Sequence, residues 1–314
     1  MSSLHDLTRH TRVVADTAEY LRLPELGAAE ATTNPSLVLR AVRLPEYAPL
    51  LRDPELRAAR DPEQAMDRLL VRFGREILER VPGRVSTEID ARLSHDTDAS
   101  VQRARGVIAL YEAAGVPRQR VLIKLATTWE GIEAARRLRD DGISCNMTLL
   151  FSFMQARACA AAGVQLVSPF VGRISDWARQ QAGAAWDPQA HEGEADPGVR
   201  ALLRIWRFYK ARGVATEVMG ASFRQTSQIA ALCGCDLLTI SPALLGELAA
   251  SAQPLPRRLD PAQAGPAEEQ VTLAVGRAEF ASALAADEMW RAKLDEGIAS
   301  FSADTHALLE LLRG

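Results

Sequence analysis

Val121-Leu122-Ile123-Lys124-Leu125-Ala126 is an apolar run of strand-forming residues with one basic side chain inside it. Thr127-Thr128-Trp129-Glu130 follows at once with the spacing of a capping box. The helical pattern it opens runs to Gly142, a residue suited to ending a helix. A second β-rich run covers Ile143 to Leu149. A third, Gln165 to Phe170, comes after a helical stretch whose Ala156 to Ala162 segment ends in Gly163. The three runs start 22 residues apart. That distance fits one short strand, a turn, a helix and a turn, repeated. Strands alternating with helices pair in parallel through right-handed crossovers.

The same rhythm extends outward. Before the central stretch come Arg12 to Ala15, ending at Asp16, then Ala31 to Asn34, closed by Pro35, and Arg84 to Ile89, after a Pro-Gly turn. Beyond it come Glu217 to Ser222 and Leu237 to Ser241. Eight units in a chain of 314 residues predict an α/β fold, a single (β/α)8 barrel spanning 1–314. Between the runs, Asp61-Pro62-Glu63 offers an N-cap and a proline at the first helical position. Ala65, Leu69, Leu70, Phe73 and Ile77 then form an apolar stripe. Ala182 to Gly198 and the proline-rich Gln253 to Gln270 read as loops. The tail, about 271–314, reads as additional C-terminal helices.

Composition narrows the function. The formal net charge is −3, with both signs scattered, which does not fit the clustered basic footprint of a nucleic-acid binder. No apolar stretch has membrane-spanning length, and the first residues lack the pattern of a secretory leader, so the expectation is a cytoplasmic protein with no membrane partner. Cys145, Cys159, Cys233 and Cys235 fit reduced thiols there. Cys233-Gly234-Cys235 lacks a second ligand pair and reads as small residues flanking a tight turn. The five histidines show no metal-ligand spacing, and no glycine-rich phosphate loop is present. The expectation is an activity without metal or organic cofactor.

Of 37 Lys and Arg residues only three are lysine: Lys124, Lys210 and Lys293. Arginine cannot shed its proton, whereas a desolvated lysine can, and a lysine amine condenses with a carbonyl. Lys124, set in an apolar run, therefore reads as a Schiff-base nucleophile. The competing reading is a strand-end lysine whose head reaches solvent. In a barrel of this kind chemistry gathers at the C-terminal ends of the strands. Those ends carry Asp16, Thr32 and Asn34, Glu88 and Asp90, Lys124, Asn146 and Thr148, Ser168, Ser222 and Ser241. Asp16 and Glu88 are candidates for general acid–base work. Asp16 could equally cap a helix at Asp16-Thr17-Ala18-Glu19, and Glu88 could pair with Arg84 or Arg92. Arg173 and Arg224 follow the sixth and seventh strands, where barrel enzymes commonly hold phosphate, and a guanidinium fork suits that anion. Each is also readable as an ordinary surface arginine.

Longer motifs run through the whole chain: Val13-Val14-Ala15-Asp16-Thr17, Ala31-Thr32-Thr33-Asn34-Pro35-Ser36-Leu37 and Pro82 to Leu93. Ile123-Lys124-Leu125-Ala126-Thr127-Thr128-Trp129-Glu130-Gly131 comes next, followed by Cys145 to Ser152, Ser168-Pro169-Phe170-Val171-Gly172-Arg173, Met219 to Arg224 and Leu238 to Pro242. In these the sequence resembles the transaldolase family almost end to end. The resemblance implies a (β/α)8 barrel and class I aldolase-type transfer. A dihydroxyacetone unit would pass from sedoheptulose 7-phosphate to glyceraldehyde 3-phosphate, within the non-oxidative pentose phosphate pathway. It makes Lys124 the Schiff-base lysine and Asp16 the base at the cleaved bond's hydroxyl. Glu88 would act through a water shared with Thr148. Asn34 and Asn146 would hold the dihydroxyacetone hydroxyls beside Ser168, Phe170 would line the pocket, and Arg173, Ser222 and Arg224 would hold phosphate. It also suggests a homodimer. Two other readings stay open: an aldolase that releases the three-carbon unit to water, and a barrel that serves only as an interaction protein.

Overall fold

The computed structural model describes residues 2–265 and 271–313. Eight parallel strands close into a barrel in sequence order, with helices around it. They are β1 (Arg12–Asp16), β2 (Glu30–Thr32), β3 (Val85–Glu88), β4 (Val121–Ala126), β5 (Cys145–Leu150), β6 (Leu166–Pro169), β7 (Glu217–Gly220) and β8 (Leu237–Ile240). All six residues of β4 and all six of β5 are buried. This is why β4 reads as a near-continuous apolar run, whereas β5 alternates and buries its polar residues Asn146 and Thr148 as well. Each fully buried Val, Leu or Ile in them contributes roughly 1.5–3 kcal/mol against exposure.

Strand starts fall at 121, 145 and 166 rather than at even intervals of 22, because turn lengths differ between units. Several strands are shorter than their sequence pattern. Asn34 does not end β2. It caps the helix Pro35–Val42, its side chain accepting from the Leu37 N–H at 2.8 Å. Ser241 likewise caps the helix Pro242–Ala250. The capping residue after β4 is Thr128, one position later than expected, accepting from the Gly131 N–H at 2.9 Å. Its hydroxyl also reaches the Ser94 carbonyl, which fixes the choice between the two adjacent threonines. Asp61 caps Pro62–Leu78, and the stripe Ala65, Leu69, Leu70, Phe73 and Ile77 is buried, as its period requires.

The Ala182–Gly198 segment is not wholly loop. Short 3-10 turns occupy Gly183–Ala185 and Gly193–Ala195, and Asp196 already caps the helix Pro197–Ala211, so Gly198 is helical. The Gln253–Gln270 loop carries one 3-10 turn, Pro261–Gln263, and its last five residues lie outside the described ones. Two helices, Arg277–Ala286 and Glu288–Arg313, form the C-terminal segment. Cys233 and Cys235 are buried on either side of Gly234, whose φ of 104° and whose approach to the Leu259 carbonyl (a Cβ would lie 2.1 Å away) require glycine.

The chain separates into two compact units, each discontinuous in sequence. One contains Met1–Val14 and Met147–Leu294; the other contains Ala15–Asn146 and Asp295–Gly314. Among the described residues no helix is long and apolar enough to cross a membrane.

Candidate active site

In the unit containing Ala15–Asn146, β3 and β4 pair in parallel with Glu88 in register with Lys124. Register partners on neighbouring strands point to the same face, so the two side chains must meet. Lys124 Nζ lies 2.8 Å from Glu88 Oε2, with side-chain exposures of 6% and 3%. Nζ also donates to the Thr33 carbonyl at 3.3 Å. The Phe301 ring, from the C-terminal helix, has its centroid 5.9 Å from Nζ. The lysine therefore does not reach solvent, and its charged form is met by a carboxylate and a carbonyl in a desolvated setting, where an unpaired cation would be costly.

The alternative partners for Glu88 are occupied elsewhere. Arg84 Nε donates to Glu30 at 3.0 Å. Arg92 grips Asp90 and reaches Glu63 at 3.0 Å, and Asp90 also caps the turn Ala91–Leu93. Asp90 is thus structural. Asp16 is not a helix cap: its Oδ1 accepts from Thr32 Oγ1 at 2.9 Å, and the Glu19 N–H goes to Thr17 Oγ1 instead. The strand-end hydroxyl of β2 orients a partly exposed carboxylate at the end of β1. Asn146, fully buried on β5, donates from Nδ2 to Ser86 Oγ on β3 at 3.0 Å. Inward residues from alternate strands sharing a layer are the normal filling of such a barrel. The Asn34 cap engages its Oδ1, so its amide NH2 is the part available to donate to a ligand.

The other unit holds the remaining candidates. Thr148 and Ser168 are buried on β5 and β6. Phe170 follows β6, bridges to Ala221 and packs edge-on against Phe151 with centroids 5.6 Å apart. The Arg173 guanidinium lies 5.2 Å from the Phe170 centroid, within cation–π range. Gly172 sits against the Ser222 carbonyl, where a Cβ would lie 1.9 Å away, so only glycine allows this approach. Arg224 Nη1 donates to Ser222 O and Oγ at 3.0 and 3.2 Å. Its Nε and Nη2 both reach Asp176 Oδ2, at 3.0 and 2.8 Å. Asp176 and Arg224 also line a cavity of about 390 Å³ with Trp186 and His191, whose rings stack at 4.0 Å. Among the described residues the non-glycine positions with positive φ are Leu149 (55°) and Ser222 (64°). One follows Thr148 and the other is itself a candidate. Such backbone is held only where its surroundings over-determine it.

Three participants are absent from the sequence reading. The Thr33 carbonyl is backbone, and Phe301 lies far along the chain from Lys124. Asp176 had a weak signal, since it follows Arg173 by one helical turn, but its contact is with Arg224.

A family model described as transaldolase/fructose-6-phosphate aldolase matches residues 13–312, and the chain belongs to that family. It is an enzyme of the aldolase and aldehyde-transferring type, and its family implies small sugar-phosphate substrates.

Proposed function

We propose that the protein is a transaldolase that moves dihydroxyacetone from sedoheptulose 7-phosphate to glyceraldehyde 3-phosphate, giving erythrose 4-phosphate and fructose 6-phosphate. The observation that carries this reading is a buried lysine amine 2.8 Å from a buried carboxylate on the neighbouring strand. The Lys124 amine attacks the donor ketone, and water leaves with a proton relayed from Glu88 through the water shared with Thr148. The iminium draws electrons from the adjacent carbon–carbon bond. Asp16 takes the proton from the hydroxyl on the departing carbon, that bond breaks, and an aldehyde leaves. The enamine then adds to the acceptor aldehyde, the proton returns from Asp16, and water hydrolyses the iminium. Asn34, Asn146 and Ser168 hold the hydroxyls of the bound unit, and Phe170 lines it. Arg173, Ser222 and Arg224 take the phosphate. No metal is needed, because the iminium is the electron sink. The reading also carries a homodimer and a cytoplasmic setting; four free, buried cysteines suit a reducing compartment.

Borohydride reduction with fructose 6-phosphate tests it. The expected result is a stable mass increase located on Lys124 and absent from Lys124→Ala. An adduct that persists in that variant rejects the assignment. A second reading has support from the family description, which includes fructose-6-phosphate aldolase. Steady release of dihydroxyacetone without any acceptor, as fast as transfer with one, would favour it.

A further inference from the structure

The helix Glu288–Arg313 buries Phe301, Thr305, Leu308 and Leu309, positions three or four apart that share one face. Residues Asp295–Gly314 belong to the same compact unit as Lys124. Phe301 is 4% exposed, and its ring faces Nζ from 5.9 Å. Close by on the helix, Asp304 accepts a hydrogen bond from Ser36 Oγ. Ser36 is in the first turn of the helix that Asn34 caps. The C-terminal helix is therefore tied to the first turn of the helix that follows β2, with its phenyl ring turned toward the lysine.

At this separation the ring's attraction for a cation is at its outer limit, about 6 Å, and contributes little. Its larger effect is to occupy space where water would stand. That matters at one step. After cleavage the enamine on Lys124 has two fates. Its nucleophilic carbon can form a bond to an aldehyde, which takes up the proton on its new hydroxyl. Or that carbon can take a proton delivered through water, and a second water then hydrolyses the iminium to free dihydroxyacetone and the amine. In both routes the proton comes from Asp16 and water finally hydrolyses the iminium to free the amine, so they differ only in whether an aldehyde or a proton reaches the enamine carbon.

We infer that Phe301, held by the Asp304–Ser36 contact, keeps proton-delivering water from the enamine formed on Lys124 and so sets the share of three-carbon units handed to an aldehyde rather than released. It is a positioning residue. The inference rests on Lys124 carrying the Schiff base and names what governs transfer against release at that site.

The test uses the full chain with fructose 6-phosphate and erythrose 4-phosphate, and measures free dihydroxyacetone formed per sedoheptulose 7-phosphate. Phe301→Ala is expected to raise this ratio about tenfold, which corresponds to a small change in relative barriers. Phe301→Leu, which keeps apolar bulk, should raise it less, and Phe301→Tyr should leave it near the starting value. Asp304→Asn, which loosens the tether without touching the ring, should raise it about twofold to threefold. Should Phe301→Ala fail to fold, the Leu and Asp304 variants decide. Variants that melt normally, trap normally at Lys124 and keep the original ratio overturn the inference. Failure of the unaltered protein to form any Lys124 adduct sinks the transaldolase reading instead, so the two failures are distinguishable.

Discussion

Lys124–Glu88 and Arg224–Asp176 are ion pairs of equal length, 2.8 Å, in opposite settings. The first is borne by two paired strands, with side chains 6% and 3% exposed; the second joins a loop to a helix, at 45% and 35%. In the first, removing one partner strands a buried charge, at a cost of about 3–5 kcal/mol. In the second, water and salt screen the attraction, and the pair is worth about 0–1 kcal/mol. The strand pair is rigid because register enforces it. The loop pair is exposed enough to exchange partners, which the proposed phosphate role of Arg224 requires.

Breaking the buried pair gives the largest effect. Lys124→Met should lose about 3–5 kcal/mol in a urea melt and all measurable turnover. Adding Glu88→Leu should recover most of that stability and none of the activity. If the double variant is no more stable than the single, the pair is less isolated from water than its burial indicates.

A third pair lies between the extremes. Arg103 donates to both oxygens of Asp67 at 2.9 Å, with exposures of 18% and 15%. Burial, set against the pull of Arg103, raises the Asp67 carboxyl to about 6. The folded state thus binds this proton more tightly than the unfolded chain. The contribution is full below about pH 4 and fades as pH rises through 6, a change of roughly 3 kcal/mol. Asp67→Asn should flatten that part of a stability–pH profile. An unchanged slope between pH 4 and 7 would place its source elsewhere.

The exposed pair gives the smallest change in stability. Arg224→Ala should shift the unfolding free energy by less than about 1 kcal/mol. It should raise KM for phosphorylated donors more than it lowers kcat. Asp176→Asn should leave stability similarly unmoved while changing KM, because it frees the guanidinium from its carboxylate. A large loss of stability in either variant would erase the contrast between the two pairs.

The contrast also explains what could be read in advance. The buried runs of β4 and β5 announce strands because every residue in them is inward or covered. Lys124 stood out because a cation in such a run needs a reason. Glu88 stood out as an acid–base candidate, but its pairing with Lys124 did not, since arginines lie nearer in sequence and only the β3–β4 register favours the distant lysine. Strand ends were misplaced where a polar residue could either end a strand or cap a helix, as at Asn34 and Ser241. The Asp304–Ser36 tether and Phe301 had no sequence signal, because their partners, Ser36 and Lys124, lie far away along the chain. Asp176 was passed over because helix periodicity relates it to Arg173 and says nothing of Arg224.

Each compact unit is finished by a segment remote from its bulk: Met1–Val14 completes one, Asp295–Gly314 the other. On a translating ribosome, the half that bears the lysine has emerged down to Asn146 long before the helix that carries Phe301 exists. A nascent chain stalled in between would hold the amine and its acid with no roof. Cover over the Lys124–Glu88 pair thus waits for the arrival of Asp295–Gly314, and cutting between Asn146 and Met147 would yield two fragments, neither holding a whole compact unit.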